Sequence, residues 1–218
     1  MKRYFITGTD TDCGKTYATC ELLKYLALKS FKVEAIKPVA SGCVSYEGKL
    51  VSPDSLAIRE YSQLHLEQIN PWAYEMPVSP HIAASAVGDT LSVNAIVDYC
   101  FNSCWNYLDY LLIEGAGGVL VPLNEHQTWL DMLKLSQLPV ILVVGIQLGC
   151  INHALLTESV LMNHHIPCAG WIANYAGNSL NLTASEQTIE TLLNHLKMPY
   201  LGFIPYKSEM IIVNPAIL

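Results

Sequence analysis

Two patterns of apolar positions alternate along the chain. Short runs that are apolar almost throughout, at residues 3–7, 33–36, 110–114, 140–145, 168–174 and 200–204, have the length and hydrophobicity of strands buried on both faces. Longer stretches between them, at 17–29, 55–62, 92–105 and 184–196 and in a segment ending near residue 164, carry apolar residues at three- and four-residue spacing, which predicts helices; residues 81–86 read as a shorter one. In the first helix Leu22, Leu23, Tyr25, Leu26 and Leu28 make a wide apolar face suited to packing on a sheet. Strands that alternate with helices predict an α/β architecture, a mostly parallel sheet with helices on both faces. Residues 43–53 read as a surface loop, Asp54 as the N-cap of the helix 55–62, and the stretch 68–80, with Pro71, Trp72, Tyr74, Pro77 and Pro80, as an ordered loop on the substrate side.

The candidate chemistry begins where the first strand meets the first helix, at Gly-Thr-Asp-Thr-Asp-Cys-Gly-Lys-Thr from Gly8 to Thr16. A glycine-bearing turn between strand and helix collects backbone N–H groups into a concavity that suits phosphates, and the helix dipole favours the anion. Asp12, Cys13, Gly14, Lys15, Thr16 and Tyr17 are the expected nucleotide contacts, with Lys15 as a point charge and the Thr16 hydroxyl as a Mg²⁺ ligand. Five residues, not the usual four, separate Gly8 from Gly14, so Thr9 stands where the first glycine of the strict motif would be. The expected fold is therefore a single-domain P-loop NTPase fold over residues 1–218.

Other candidates fall at predicted strand ends, the edge at which open parallel sheets bind ligands. Lys37 follows the second strand and precedes Pro38 and the small-residue turn containing Ser41; a lysine at a strand tip is expected to add little to packing, and a solvated surface lysine is the alternative. Glu114 ends a buried strand and precedes Gly115, Ala116, Gly117 and Gly118, where the backbone can pass close to nucleotide or substrate. A carboxylate there is the expected second Mg²⁺ contact, direct or through water, and Asp54 is either a cap or another. The amides after Leu148, Gly149, Cys150 and Ile151 could hold a carboxylate, with Asn152 otherwise an ordinary N-cap; Asn174 could read a purine edge or cap its strand.

Composition narrows the partners. Hydrophobic residues make up 51% and charged ones 14%, which argues for a well-buried globule, and a net charge of −7 makes a nucleic-acid partner improbable. Seven scattered cysteines without a C-x-x-C pair read as reduced thiols. No apolar run approaches a membrane span, and the first strand begins at once, so a soluble cytoplasmic protein without a targeting segment is expected. The histidines lack metal-ligand spacing, and no Gly-x-Ser-x-Gly elbow appears, which leaves phosphate chemistry as the strong signal.

Lined up in order, these segments resemble the dethiobiotin synthetases. The resemblance is carried by GTDTDCGKT, KPVASG at residues 37–42, Pro53-Asp54, SPHIAA from Ser79, EGAGG with VPL within 114–123, LGCINH at 148–153 and Ala173-Asn174, and it spans nearly the whole chain. It implies an ATP-dependent cyclo-ligase acting on 7,8-diaminononanoate and CO₂ or bicarbonate through a carbamate. It further implies that Lys15 and Lys37 neutralise charge, that Thr16, Asp54 and Glu114 hold Mg²⁺, and that Thr11, Ser41 and Gly118 contact the diamine or carbamate. The 148–152 turn would bind the substrate carboxylate in the partner's site, which makes a homodimer. Asn174-Tyr175 replaces a common Asn-Asp, and the tail beyond Pro205 is short and apolar where relatives continue, so weak base selectivity is expected. A nucleotide-switched positioning protein is a competing reading; its early loop lysine is absent, Thr9-Asp10-Thr11 standing there. An amide-forming enzyme with a glutaminase domain, another competitor, would need a longer chain.

Overall fold

The structure, a computed structural model, describes residues 1–175, 182–206, 209–212 and 214. Its centre is β1 (Lys2–Gly8), flanked by β7 (Tyr110–Glu114) on one side and β8 (Val140–Gly145) on the other. Beyond them lie β2 (Val33–Ile36) on the β7 side and β9 (Cys168–Asn174) then β10 (Tyr200–Ile204) on the β8 side, all parallel. A short antiparallel β11 (Ile211–Ile212) completes the seven-stranded order β11-β10-β9-β8-β1-β7-β2. Because six strands run the same way, Gly8, Ile36, Glu114, Gly145 and Asn174 end on one edge. After β1 the chain crosses toward β2, and after the adjacent β8 it crosses toward β9 on the other side, which makes that edge a topological switch point.

Helices cover both faces, and β8 shows how an all-apolar strand serves two cores. Ile141 and Val143 join a large core with α1 (Lys15–Leu28), α5 (Val93–Cys100) and α6 (Trp129–Ser136). Leu142 and Val144 face the other way, joining Trp171 and Ala173 of β9 in a smaller core under α7 (Cys150–Asn163) and α8 (Leu182–His195). Alternate residues of a strand point to opposite faces, so the unbroken run reflects burial on both sides.

Several local expectations are corrected. The loop 43–53 contains a hairpin of β4 (Val44–Tyr46) and β5 (Lys49–Val51), turned by Glu47 and Gly48, both at positive φ as a two-residue turn of matching twist requires. Asp54 is not an N-cap: the Ser52 hydroxyl accepts from the Ser55 amide at 3.0 Å, Pro53 opens α2 (Pro53–Arg59), and Asp54 lies in its first turn. The stretch 68–80 is not purely loop, since it holds the end of α3 (Leu66–Ile69), β6 (Trp72–Ala73) paired to β3 (Val39–Ala40), and the start of α4 (Pro80–Ala86). The expected helix 92–105 stops at Cys100; Asn102 then accepts from the Cys104 amide and starts a separate 3-10 turn, Ser103–Trp105. Helix α6 was not expected, and a Thr128–Asp131 capping box starts it. Helix α7 begins at Cys150 behind a left-handed Gly149, so Asn152 sits inside its first turn and caps nothing.

Buried acids brace the outer strands. Glu158 of α7, 5% exposed, accepts the Lys197 and Met198 amides at 2.8 and 2.7 Å and so fixes the chain between α8 and β10. Glu158→Ala strands both donors and is expected to lower the unfolding free energy by about 3 kcal/mol, whereas Glu158→Gln, which keeps an acceptor, should lose about 1 kcal/mol; urea unfolding checks both.

Candidate active site

The loop from Gly8 to Thr16 packs on the sheet edge through one thiol. Cys13 is 1% exposed, and a Cβ on Gly8 would stand 2.2 Å from its Sγ, one on Gly145 3.0 Å from its Cα. The glycines that end β1 and β8 therefore leave room for this side chain, which seats the loop. Asp12 and Gly14 adopt positive φ of 57° and 92°, turning the backbone into the concave path expected of a phosphate loop. The Lys15 ammonium folds back to the Asp10 carbonyl at 2.8 Å, and the Asp10 carboxylate accepts the Thr11 amide at 2.7 Å. Asn174 closes the far side, donating from Nδ2 to the Cys13 carbonyl at 2.9 Å; the side chain of this strand end is committed to the loop.

Behind the loop lies a buried charge network. Glu114 is fully buried, and its Oε1 accepts from the Thr16 hydroxyl and the Lys37 ammonium, each at 2.7 Å, while Oε2 accepts from the Thr19 hydroxyl at 2.9 Å. Lys37 also donates to Asp54 Oδ2 at 2.5 Å. The lysine is 5% exposed, which corrects both the solvated-lysine alternative and the expectation that it matters little to packing. Burial by itself would lower the Lys37 pKa, but the charges of Glu114 and Asp54 and their hydrogen bonds outweigh it and raise it above the ordinary 10.5. Its stabilising effect is thus complete below pH 10.5 and is lost only as pH rises through the higher folded value. Asp54 shows the converse: burial pushes its carboxyl up, Lys37 and the Thr16 hydroxyl pull it down further, and the net shift is downward.

The backbone of Lys37 is held as firmly as its side chain. Its amide donates to the Ile69 carbonyl at 2.8 Å, and the buried Asn70 amide donates to the carbonyls of Lys37 and Pro38 at 3.1 and 3.2 Å. Asn70 and Thr19 are the contributors that sequence reasoning missed. Thr19 had a signal, one helical turn after Thr16 and so on the same face of α1; Asn70, at the end of α3, had none.

A cavity of about 700 Å³ opens over this network, and its wall includes Thr11, Asp12, Gly14, Lys15, Thr16, Lys37, Ser41, Asp54, Ala116 and Gly117. Pro77, Val78, Ser79 and Pro80, from the end of the stretch 68–80, also line it. Ala116 is fixed from behind, its carbonyl accepting the indole N–H of Trp129 at 3.0 Å, and a Cβ on Gly115 would strike the Phe5 ring at 2.6 Å. Cys13, Gly115 and Glu114 thus support the wall from below. Tyr17, 41% exposed, Gly118 and Asn174 are not among the cavity's lining residues. Neither are Leu148, Gly149, Cys150, Ile151 and Asn152; Leu148 is 93% exposed at the α7 start, while Cys150 packs into the small core.

Chemically, the arrangement sets Lys15, Lys37, Asp54, Thr11 and Thr16 around one space, with the Glu114 carboxylate beneath it. Among the described residues no three His, Cys, Asp or Glu side chains cluster as a metal site. Asp54 and the Thr16 hydroxyl, with Glu114 behind them, supply hard oxygens only, a set that fits Mg²⁺ in the presence of phosphates and not a soft metal.

A family model described as an AAA domain matches residues 2–212. The chain is 50% identical over 210 residues to the ATP-dependent dethiobiotin synthetase BioD of Legionella pneumophila (strain Lens), covering 96% of each chain. It is 42% identical over 209 residues to the protein of the same name from Cellvibrio japonicus (strain Ueda107), covering 95% of this chain and 90% of that one. Among solved structures, the MinC:MinD cell division complex of Aquifex aeolicus superposes with a TM-score of 0.58 at 16% identity over 94% of this chain and 81% of that one. The cell division protein FtsY of Thermotoga maritima gives 0.56 at 12% identity, over 99% of this chain and 66% of that one. Those two likenesses speak for the P-loop NTPase fold alone. The phosphate loop, the lysine and carboxylates behind it, and this identity along nearly the full length place the chain in the ATP-dependent dethiobiotin synthetase family.

Proposed function

We propose that the chain is an ATP-dependent dethiobiotin synthetase, a cyclo-ligase that forms the ureido ring of dethiobiotin from 7,8-diaminononanoate and CO₂ in biotin biosynthesis. The observation that supports this reading is one cavity lined by Lys15 and Thr16 together with Thr11 and Ser41, where a nucleoside triphosphate and a second small substrate would share one enclosure. One amine adds to CO₂ and loses a proton, giving a carbamate. A carbamate oxygen attacks the γ-phosphorus of ATP, ADP leaves, and a carbamic-phosphoric anhydride results. The second amine adds to the carbamoyl carbon, phosphate departs with the amine's proton, and the ring is closed.

Each residue then has a role that its surroundings permit. Thr11 and Ser41 hold the diamine or carbamate at the phosphate loop, replacing random encounter by fixed approach. Lys15 and Lys37 neutralise the phosphoryl and carbamate oxygens. Lys37 acts as a cation and not as a base, because Glu114 and Asp54 keep it protonated. Bound Mg²⁺ would supply charge neutralisation for the nucleotide phosphates, and Thr16, Asp54 and Glu114 are the residues that would hold it, Glu114 through its hydrogen-bonded neighbours. The turn from Leu148 to Asn152 lies away from its own chain's cavity with Leu148 outermost, which supports its binding the substrate carboxylate in a partner's site, within a cytoplasmic homodimer. Asn174 spends a donor on the Cys13 carbonyl, and Tyr175 offers a phenol in place of a carboxylate, which supports weak discrimination among nucleotide bases.

Incubation with 7,8-diaminononanoate, bicarbonate, Mg²⁺ and ATP should yield dethiobiotin by mass, and phosphate release without that product would sink the reading. In competition, ATP, GTP and CTP should differ by less than about fivefold in kcat/KM, under about 1 kcal/mol; a strong adenine preference would refute weak selectivity. Lys37→Ala should abolish turnover and also cost about 3 kcal/mol of stability by leaving Glu114 unpaired. Adding Glu114→Gln to it should restore most of the stability in thermal unfolding without restoring activity.

A further inference from the structure

Thr19 is wholly buried in α1, beneath the cavity and outside its wall. Its hydroxyl lies 2.9 Å from the Lys15 carbonyl, four residues back along the helix, and 2.9 Å from Glu114 Oε2. One hydroxyl proton serves both acceptors. The bond to the helix carbonyl is a common habit of threonine and carries no function. The bond to Glu114 is different, because it crosses from helix to strand and ends on a carboxylate whose other oxygen holds Thr16 and Lys37.

A carboxylate turns about its last torsion with little resistance, since that torsion is broad. Thr16 and Lys37 both pull on Oε1, and Thr19 is the partner seen on Oε2. With donors on both oxygens the carboxylate plane is set; with donors on one, it can rotate and draw Lys37 and Thr16 with it. We infer that Thr19 is a positioning residue: by holding Glu114 Oε2 it sets the orientation from which Oε1 anchors the Thr16 hydroxyl and the Lys37 ammonium at the wall of the phosphoryl-transfer cavity. The same contact ties α1, which carries the phosphate loop, to the tip of β7, so loop and carboxylate keep one relative position.

The inference rests on the cyclo-ligase reading for its activity measurement only. Thr19→Val keeps the shape and removes the hydroxyl; Thr19→Ser keeps the hydroxyl and removes the methyl. With wild type shown to make dethiobiotin, Thr19→Val should lower kcat about tenfold or more with the KM for ATP within about twofold, and Thr19→Ser should stay within about threefold of wild type. Calorimetry of ADP binding with and without Mg²⁺ gives a readout that needs no turnover. There Thr19→Val should lose at least about threefold of the Mg²⁺-dependent gain in affinity, leave the Mg²⁺-free affinity unchanged, and melt as a folded protein. A Thr19→Val enzyme with kcat and Mg²⁺ gain within twofold of wild type, or a Thr19→Ser enzyme as impaired as Thr19→Val, would overturn the positioning role. Should Thr19→Val not fold, Thr19→Ala against Thr19→Ser decides in the same way. If wild type makes no dethiobiotin, the function reading fails and the calorimetry alone decides on Thr19.

Discussion

The arrangement depends on one buried anion. Glu114 stands at the tip of the strand beside the centre of the sheet, without solvent contact, and an isolated carboxylate there would be far too costly to ionise. It is tolerated because three donors from two other elements converge on it: Thr16 and Thr19 from α1, and Lys37 from the end of β2. The electrostatic requirement is thus also a structural one. To satisfy Glu114, the helix bearing the phosphate loop and the strand bearing the cavity's second lysine must arrive at one point. Asp54, partly exposed, balances the remaining demand of Lys37 and faces the space where phosphates would lie.

Much of this was legible because the fold's grammar is coarse. Strands buried on both faces show as unbroken apolar runs, and the carboxyl ends of such strands in a parallel sheet fall on one edge, so Lys37 and Glu114 could be placed near the loop before any coordinate was known. What failed was local. Asp54 looked like a cap because aspartate favours that position, but Ser52 and Pro53 together form a better start, and this leaves the carboxylate facing Lys37. Helix α6 went unseen because its eight residues follow an irregular stretch, and its anchor, Trp129, is recognisable only through a contact with Ala116 distant in sequence.

The site's finer features were illegible for a related reason. Whether a lysine is solvated or buried depends on residues far along the chain, and Lys37 is enclosed by Asp54 and Glu114, 17 and 77 positions away. Asn70 bonds backbone carbonyls, which have no side-chain identity to read in a sequence. The turn after β8 presents the opposite case: its residues are distinctive, yet the geometry leaves them off their own chain's cavity.

The division of the interior into two cores has a consequence for how the molecule can change. On the large-core side, α1 and α6 are bound to the cavity by specific polar contacts as well as packing, so a volume change there would be felt at the phosphate loop. On the other side, α7 and α8 meet the sheet through Leu142, Val144, Trp171 and Ala173, while Leu161 of α7 belongs to the large core. The sheet therefore divides the two cores only in part, and α7 reaches both. Leu148, at the exposed start of α7, belongs to neither core, so its surroundings can change with little effect on the packing beneath the phosphate loop, whereas a change at Leu161 would be transmitted to it.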